Sequence, residues 1–315
     1  MRAMKKKNKI KPAIALALLF VIILAVSAVL VRFPLFKIDA TAAVLMDVQT
    51  GKVYYEHNAS AALPPASMSK MMTELLVLKN IHQGHNAWDE PVTASRYAAN
   101  VTGAEIGLRP GDTLPLSTMF EAMVIHSAND AAIALAEHIA GSEQAFVEQM
   151  NAMARNIGLS SHTLFANATG LSSADLTPFQ SAASEGETQM TAKDLAKMAR
   201  YLIRTYPEIL KVTEKTDIYI PELELTLHTT NSMLPGEPFA YNGNDGFKTG
   251  YTQRAGYCFT GTSERGGKRF ITVVMGASDT QKRFEDAAKL FNYGFDNGSG
   301  AVLGRWLNRS AQTVH

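Results

Sequence analysis

The sequence is poor in cysteine, and this scarcity excludes several classes of protein. Cys258 is the single cysteine among 315 residues, so an intrachain disulfide is impossible and a cysteine-based zinc site is not expected. The eight histidines include no H-E-x-x-H motif, the usual signature of a zinc peptidase. We therefore expect no metal ion or other cofactor, and we interpret Cys258, within the apolar run YCFTGT, as a small buried side chain.

Acidic residues are absent from the N-terminus. The first twelve residues, MRAMKKKNKIKP, hold six basic residues and no acidic one. Without these six, 24 of the chain's 30 basic residues remain against 29 acidic ones, which leaves a net charge of −5. This mildly acidic remainder does not favour nucleic acid as a partner.

The next segment contains no charged residue at all. Residues 13–31, AIALALLFVIILAVSAVLV, form an apolar run about as long as a membrane-crossing helix, and the lysines before it favour a cytoplasmic N-terminus. Two interpretations stay open: an uncleaved anchor, or a signal peptide cleaved near Ala25/Ser27 or Val26/Ala28. The length of the run favours the anchor. Both interpretations place the rest of the chain on the outer side of the cell membrane.

Strand patterns lie at both ends of the remaining chain, with helical patterns between them. AAVLMDVQTGKVYYEHN predicts a hairpin, and three short β runs occur between residues 246 and 277. Apolar residues at helical spacing predict a helix that begins after Pro65 and runs to about Asn80, and further helices over about 115–200. A final helix, QKRFEDAAKLFNYGF, follows. This order predicts an α/β protein of the α+β type, with an antiparallel sheet built from both chain ends, flanked by helices, and a helical lobe over about 80–200.

Three short motifs occur in order along the chain, each in a setting that suits a reactive serine. Ser67 and Lys70 form an S-x-x-K pair at the predicted start of a helix. Ser127-Ala128-Asn129 lies between two helical segments, and Lys248-Thr249-Gly250 opens a strand. A lone S-x-x-K arises about once by chance in a chain of this length, but the three motifs together are the signature of penicillin-binding proteins and class A β-lactamases.

The first motif pairs a nucleophile with a base. Ser67, at a helix N-terminus, would lie where free N–H groups favour developing negative charge, but its hydroxyl needs a base to react. Lys70 lies one turn further along the same helix face, and burial among methionines together with the charge of Lys248 would lower its pKa enough for that role. Glu74, on the same helix, is interpreted as a solvated or paired side chain.

The other two motifs suit a peptide substrate. Ser127 can relay a proton to a leaving amine, and Asn129 can both donate to and accept from a peptide backbone. Lys248 and Thr249 offer a cation and a hydroxyl to a carboxylate, and Gly250 would let a substrate strand approach the sheet edge.

The segments around these motifs resemble those of serine-type D-alanyl-D-alanine carboxypeptidases, the low-molecular-mass penicillin-binding proteins. The similarity spans roughly residues 40–296 and is carried by PASMSKMMT, HSANDAAIALAEHIAGSEQAFVEQMNAMARNIGL, FANATGL and DGFKTGYTQRAGYCFTGTSERGGKRFITVVMGA. The resemblance implies a β-lactamase/transpeptidase-like fold. We accordingly expect a cytoplasmic basic segment over 1–12, the anchor or signal peptide over 13–31, a tether over 32–40, the penicillin-binding domain over 41–300 and a tail over 301–315.

The resemblance also implies a reaction. Ser67 would attack the bond between the two terminal D-alanines of a peptidoglycan stem peptide, while Lys70 accepts its proton. Ser127 and Lys248 would help to deliver a proton to the departing D-alanine, and water would then release the acyl group. β-Lactam antibiotics would acylate Ser67 as mimics of this substrate.

Further site residues follow from the resemblance alone. Backbone N–H groups of Ser67 and Tyr251 would hold the oxyanion. Thr249 would meet the substrate carboxylate, and Arg283 matches an arginine of the family that assists there.

Two departures from the family pattern stand out. Ala128 replaces the glycine that is common in the second motif, a small change because this residue contributes its backbone. The chain also stops at His315, without the β-rich domain and amphipathic membrane helix that many members carry there. We take this second departure as favouring an anchor at residues 13–31.

Three alternatives remain. A β-lactamase needs a base for deacylation, typically a glutamate about 35–40 residues after the second motif, and the segment HTLFANATG there has no acid. A transpeptidase would pass the acyl group to an amine instead of water, a difference that sequence does not reveal. An inactive wall-binding scaffold on the same fold is disfavoured by the intact motifs.

Overall fold

The computed structural model describes residues 19–21, 37–176 and 186–298. The chain divides into two units, residues 1–37 and 38–315, and of the first unit only helical residues 19–21 and Lys37 are described. The rest of the predicted membrane segment 13–31 lies outside the described residues, as do the predicted basic segment 1–12 and tail 301–315. Among the described residues, no helix combines the length and the apolar character needed to cross a bilayer.

The second unit has strands towards both ends of the chain and helices between them, as predicted. Its strands are β1 (Ala42–Asp47), β2 (Val53–His57), β3 (Pro91–Thr93), β4 (Thr113–Pro115), β5 (Asp217–Ile220), β6 (Leu225–His228), β7 (Asn244–Thr252), β8 (Gly256–Arg265) and β9 (Lys268–Ala277). Its α-helices are α1 (Lys70–His82), α2 (Leu116–Glu121), α3 (Asn129–Ala140), α4 (Glu143–Asn156), α5 (Ala192–Thr205), α6 (Leu210–Thr213) and α7 (Thr280–Gly298). The small sheets β3–β4 and β5–β6 were not predicted, because strands of three or four residues leave little periodicity to detect.

One antiparallel sheet joins the two ends of this unit. Its strand order is β2-β1-β9-β8-β7, and β1 pairs with β9 from Ala42↔Met275 to Asp47↔Phe270. The predicted hairpin and C-terminal strands are therefore confirmed. Every residue of β1 is buried, so both faces of the sheet are covered; α5 and α7 both pack against β1 and β9. β7 forms one edge, and within the described residues no strand pairs with its outer side.

The helix that follows the serine motif is buried on all sides. A 3₁₀ turn, Ala66–Ser69, leads into α1, and all residues of α1 from Lys70 to Leu78 are buried. Its polar residues Thr73 and Glu74 are therefore interior groups, because no face of this part of the helix meets water. Of the two interpretations of Glu74, a solvated or a paired side chain, the solvated one is therefore wrong.

The cysteine lies where the sequence predicts. Cys258 is fully buried in β8, and burial raises the pKa of its thiol to about 11. A thiol held in its neutral form is a poor nucleophile, so Cys258 behaves as a small apolar side chain.

Candidate active site

The turn that carries Ser67 is held between two glycines. Ala66 has a φ of +49°, a left-handed conformation that is costly for a residue with a Cβ. A Cβ on Gly170 would lie 2.1 Å from the Ala66 carbonyl oxygen, and a Cβ on Gly250 would lie 2.8 Å from the Pro65 carbonyl oxygen and 3.1 Å from Ser67 N. Gly250 therefore does more than admit a substrate: its missing side chain lets β7 touch the serine turn.

We expect Gly250→Ala to inactivate the site without unfolding the protein. The added methyl group must push the serine turn away from β7, because the obstructing atoms are backbone rather than a flexible side chain. Overpacking of this kind costs about 1–3 kcal/mol of stability, whereas a displacement of about 1 Å at a reacting group costs about 10²-fold in rate. The measurement is the rate of acylation by penicillin, alongside a thermal melt.

A matched control separates site geometry from general overpacking. Gly294→Ala in α7 would bring a Cβ to 3.0 Å from Leu45 Cδ2 and 3.3 Å from the Phe270 ring, far along the chain from the serine turn. It should lower the melting temperature while leaving acylation of the folded protein unchanged. An equal loss of acylation rate in both variants would contradict the proposed role of the contact at Gly250.

Lys70 is placed to take a proton from Ser67. Its Nζ is fully buried and lies 2.9 Å from Ser67 Oγ, 2.6 Å from Asn129 Oδ1 and 2.9 Å from the Thr169 carbonyl oxygen. Asn129 Nδ2 donates to the Thr102 carbonyl at 2.6 Å, which fixes the orientation of the Asn129 amide. The Asn129 and Thr169 oxygens can only accept hydrogen bonds. A neutral Lys70 amine therefore donates its two N–H groups to these two oxygens, and its lone pair points at the Ser67 hydroxyl.

Burial also favours that neutral form. The pKa of Lys70 is well below its usual 10.5, first because burial penalises the ammonium and second because Lys248 carries a like charge. Glu74 and Asp130 oppose this shift without reversing it. The two causes predicted from the sequence, burial and the charge of Lys248, are therefore both present.

Lys248 and Glu74 form a second buried pair of ionisable groups. Within the described part of the chain, neither Lys248 Nζ nor the Glu74 carboxyl has a hydrogen-bond partner. Burial lowers the pKa of Lys248 to about 8, with Glu74 acting in the opposite direction and Arg283 in the same direction. Burial raises the pKa of Glu74 to about 8, against the attraction of Lys248 and Lys70. Each group thus stabilises the charged form of the other.

The second motif holds Ser127 in a strained backbone conformation, two residues before Asn129, which bonds Lys70. A π-helical turn, Ala122–His126, ends α2, and Ser127 follows in the left-handed region at φ +69°. Its hydroxyl is buried and has no hydrogen-bond partner among the described residues. An unbonded buried hydroxyl costs about 1–3 kcal/mol, so this group gains stability when a ligand bonds to it. Asn129, the first residue of α3, is held by its own N–H to the Ala104 carbonyl at 2.7 Å.

The third motif lies on the open edge strand β7. The Thr249 and Thr230 hydroxyls are 2.6 Å apart, so Thr230 fixes the position of the Thr249 hydroxyl. The Tyr251 side chain is exposed and its ring centroid lies 4.5 Å from that of Tyr257. Arg283 is buried, with Nη1 at 3.4 Å from both the Gly250 and the Cys258 carbonyl oxygens.

Two of these contacts could not be identified from the motifs. Thr169 contributes a backbone carbonyl, and its position depends on the turn FANATGL. There Asn167 Oδ1 accepts from the N–H groups of Thr169 and Gly170, and Asn167 Nδ2 donates to the Leu171 carbonyl. The resemblance of this turn to the family pattern was the available signal for Thr169. No sequence pattern pointed to Thr230.

The chain is similar to known proteins over most of its length. The D-alanyl-D-alanine carboxypeptidase family, peptidase S11, matches residues 28–279. The chain is 37% identical over 260 residues to D-alanyl-D-alanine carboxypeptidase DacF of Bacillus subtilis and 32% identical over 266 residues to DacC of Escherichia coli. Each alignment covers 82% of this chain and 62% of the relative, so the chain spans about three fifths of the length of these relatives.

Solved structures agree with the fold. The ampicillin-bound penicillin-binding protein D2 of Listeria monocytogenes is 36% identical, with a TM-score of 0.73 over 83% of this chain and 100% of that one. The peptidoglycan synthesis regulatory factor PBP3 of Streptococcus pneumoniae is 35% identical, with a TM-score of 0.77 over 82% of this chain and 74% of that one. The predicted β-lactamase/transpeptidase-like fold is therefore confirmed. With a family match that covers most of the chain, this protein belongs to the D-alanyl-D-alanine carboxypeptidase family, peptidase S11.

Proposed function

We propose that this protein is a serine D-alanyl-D-alanine carboxypeptidase, which removes the terminal D-alanine from peptidoglycan stem peptides through an acyl-enzyme on Ser67. One observation carries the proposal. The buried Lys70 amine lies 2.9 Å from Ser67 Oγ, and two acceptor-only oxygens occupy its remaining hydrogen-bonding positions. This arrangement supplies what a serine nucleophile requires, namely a base with a lone pair aimed at its proton.

Acylation then proceeds by proton transfer within the site. Ser67 Oγ bonds to the carbonyl carbon of the penultimate D-alanine, and its proton passes to Lys70 Nζ. The oxyanion is held by the N–H groups of Ser67 and Tyr251. The bond to the last D-alanine breaks when its nitrogen receives a proton by way of Ser127, with the nearby Lys248 ammonium supporting that transfer. Water attacks the acyl-enzyme in the reverse sense and releases the shortened peptide.

The open edge of β7 suits an extended peptide. A substrate strand can pair with the unpaired backbone of β7, as in other cases of strand addition. Its terminal carboxylate then meets Lys248 and the Thr249 hydroxyl. Asn129, which already bonds Lys70 and Thr102, has one further N–H to offer to the peptide backbone. Arg283 acts from behind the strand, through the Gly250 carbonyl and through its charge, rather than by direct contact with the carboxylate.

β-Lactams are proposed inhibitors, since the similar Listeria protein has structures with ampicillin and cefotaxime bound. The site of action is the outer side of the bacterial cell membrane, with residues 13–31 as the anchor if they are not cleaved. No nucleic acid or cofactor takes part.

The test is release of D-alanine from diacetyl-lysyl-D-Ala-D-Ala by residues 33–315, with penicillin labelling in parallel. Release and a long-lived penicilloyl adduct would support the proposal. Well-folded protein that shows neither would refute it and leave the wall-binding scaffold. An acceptor amine added to the assay detects transpeptidation as a new amide product, and rapid multiple turnover of ampicillin would indicate a β-lactamase.

The rate of acylation should depend on pH in a bell-shaped manner. Lys70 must be neutral, so the rate rises as pH increases through its lowered pKa; Lys248 must be charged, so the rate falls above about pH 8. Glu74, when ionised, raises the pKa of Lys248, and its own pKa of about 8 means that it is ionised on the falling limb but mostly protonated on the rising one. Glu74→Gln should therefore move the falling limb to lower pH and leave the rising limb in place. Stopped-flow acylation by a chromogenic cephalosporin over pH 5–10 measures this. A falling limb that stays in place would show that Glu74 carries no charge in the working enzyme.

A further inference from the structure

Glu143 is a buried carboxyl group that the proposed reaction does not use. It is the first residue of α4, where the sequence suggests only a favourable charge at a helix N-terminus. The Ser142 hydroxyl already caps this helix by accepting from Ala145 N at 3.1 Å, and Glu143 itself is 1% exposed. Burying a carboxylate is costly unless its oxygens are bonded, so the bonds it makes indicate what it does.

The two carboxyl oxygens bond in two different directions. Oε1 accepts from the N–H of Ala168 at 2.8 Å, and Oε2 accepts from the Tyr97 hydroxyl at 2.6 Å. Ala168 and Tyr97 lie about 70 positions apart in the chain, and neither is part of α4. Glu143 therefore connects two loop segments, which further along also meet where the Thr102 hydroxyl donates to the Asp175 carbonyl at 3.2 Å.

The first segment carries one acceptor of Lys70. The carbonyl of Thr169, the residue after Ala168, accepts from Lys70 Nζ at 2.9 Å. The carbonyl of Ala168 itself accepts from Thr73 Oγ1 on α1 at 3.0 Å. The Glu143 bond to the Ala168 N–H holds the preceding peptide unit, so Ala168 is fixed on both sides, by Glu143 and by α1.

The second segment carries the other acceptor. The chain continues from Tyr97 into the loop whose Thr102 and Ala104 carbonyls accept from the side chain and the backbone of Asn129 at 2.6 and 2.7 Å. Asn129 Oδ1 in turn accepts from Lys70 Nζ at 2.6 Å. The two oxygens that accept from a neutral Lys70 are those of Thr169 and Asn129. Each is connected, through its own loop, to the Glu143 carboxyl group.

We propose that Glu143 is a positioning residue: its carboxylate holds the Thr169 and Asn129 oxygens at a fixed separation and so aims the Lys70 lone pair at Ser67. The inference rests on the proposed function. Bonds to an ionised acceptor are roughly twice as strong as neutral ones, so a charged bridge resists loop movement better than an amide. Burial raises the pKa of Glu143 to about 7, while the bonds from Tyr97 and Ala168 lower it and the nearby Glu137 raises it. The ionised bridge is therefore fully present only above that pH.

The test compares conservative variants of the two ends of the bridge. Glu143→Gln keeps the shape but removes the charge: its one oxygen can accept from the Ala168 N–H, and its NH2 group can meet the Tyr97 hydroxyl only as a donor. Tyr97→Phe removes one bond alone. We expect kcat for D-alanine release, expressed per penicillin-titrated site, to fall about tenfold in Glu143→Gln and about threefold in Tyr97→Phe, with KM within about twofold. The double variant should lose less than the product of the two single effects, because both changes act on the same connection.

The control is Glu148→Gln, the same substitution on an exposed position of α4, which should leave kcat unchanged. Counting only titrated sites removes any effect of lost folded protein, so a merely structural role would leave kcat per site unaltered. Folded Glu143→Gln and Tyr97→Phe with wild-type kcat per site would overturn the inference; if Glu143→Gln does not fold, Tyr97→Phe decides alone. Wild-type protein that neither labels nor releases D-alanine would instead overturn the proposed function.

Discussion

Ser67→Ala is expected to abolish acylation by penicillin and to lower D-alanine release by at least about 10⁴-fold, the scale on which serine enzymes lose activity without their nucleophile. The fold should survive. The Ser67 side chain makes one hydrogen bond with Lys70, and Lys70 keeps its bonds to the Asn129 and Thr169 oxygens in the variant. Loss of a single hydrogen bond of this kind changes the free energy of unfolding by about 1 kcal/mol.

Mass spectrometry after incubation with penicillin measures the adduct directly. The matched control is Ser69→Ala in the same 3₁₀ turn, whose buried hydroxyl has no hydrogen-bond partner among the described residues. Removing an unbonded hydroxyl should leave labelling intact. A penicilloyl group on the Ser67→Ala protein would show that another residue is the nucleophile and would overturn the site assignment.

Lys70→Met should have the second largest effect. Methionine fills a similar volume but supplies neither a lone pair nor a charge, so the Ser67 proton has no acceptor in reach. General-base catalysis contributes about 10²–10⁴-fold, and we expect acylation to slow by this factor while non-covalent binding of the β-lactam changes much less. Stopped-flow kinetics separate the two, because saturation gives the binding constant and the limiting rate gives the chemical step.

Lys79→Met on the same helix is the control for loss of a lysine from α1. Lys79 is partly exposed and lies more than two turns beyond Lys70, so its variant should acylate at the wild-type rate. A Lys70→Met protein with an unchanged limiting rate would mean that the base lies elsewhere. Ser127 would then be the first candidate to examine, since its hydroxyl has no other bonding partner among the described residues.

Local features of the site could be predicted from the sequence, and features made by distant contacts could not. Ser67 and Lys70 are three residues apart, so helical geometry alone brings them together. The contact of Lys70 with Asn129 spans 59 positions, and only the joint occurrence of three motifs indicated it. The hairpin and the C-terminal strands were predictable for the same local reason, since alternation and turn residues are visible within a few positions.

The remaining features depend on tertiary packing that no short pattern encodes. The Thr169 acceptor is a backbone carbonyl, which every residue possesses, so residue identity cannot reveal it. The solvated interpretation of Glu74 is wrong because helices of this length usually keep one face in water, whereas α1 is enclosed on all sides down to Leu78; the paired interpretation agrees with its position beside Lys248. The role of Gly250 was only half predicted, because its neighbour in space is the serine turn.

The open edge of β7 has a consequence for the behaviour of the protein in solution. A bare strand edge is a template on which a second protein molecule could add its own strand, the usual first step of aggregation. Here other segments contact β7 along its length. The Pro65 carbonyl packs against Gly250, and the Thr230 hydroxyl bonds that of Thr249. The Thr213 hydroxyl donates to the Asp245 carbonyl at 2.7 Å. We expect these contacts to narrow the approach to the strand, so that a single extended chain reaches the edge more readily than the edge of another sheet does. The contacts that suit an extended peptide would then also disfavour self-association.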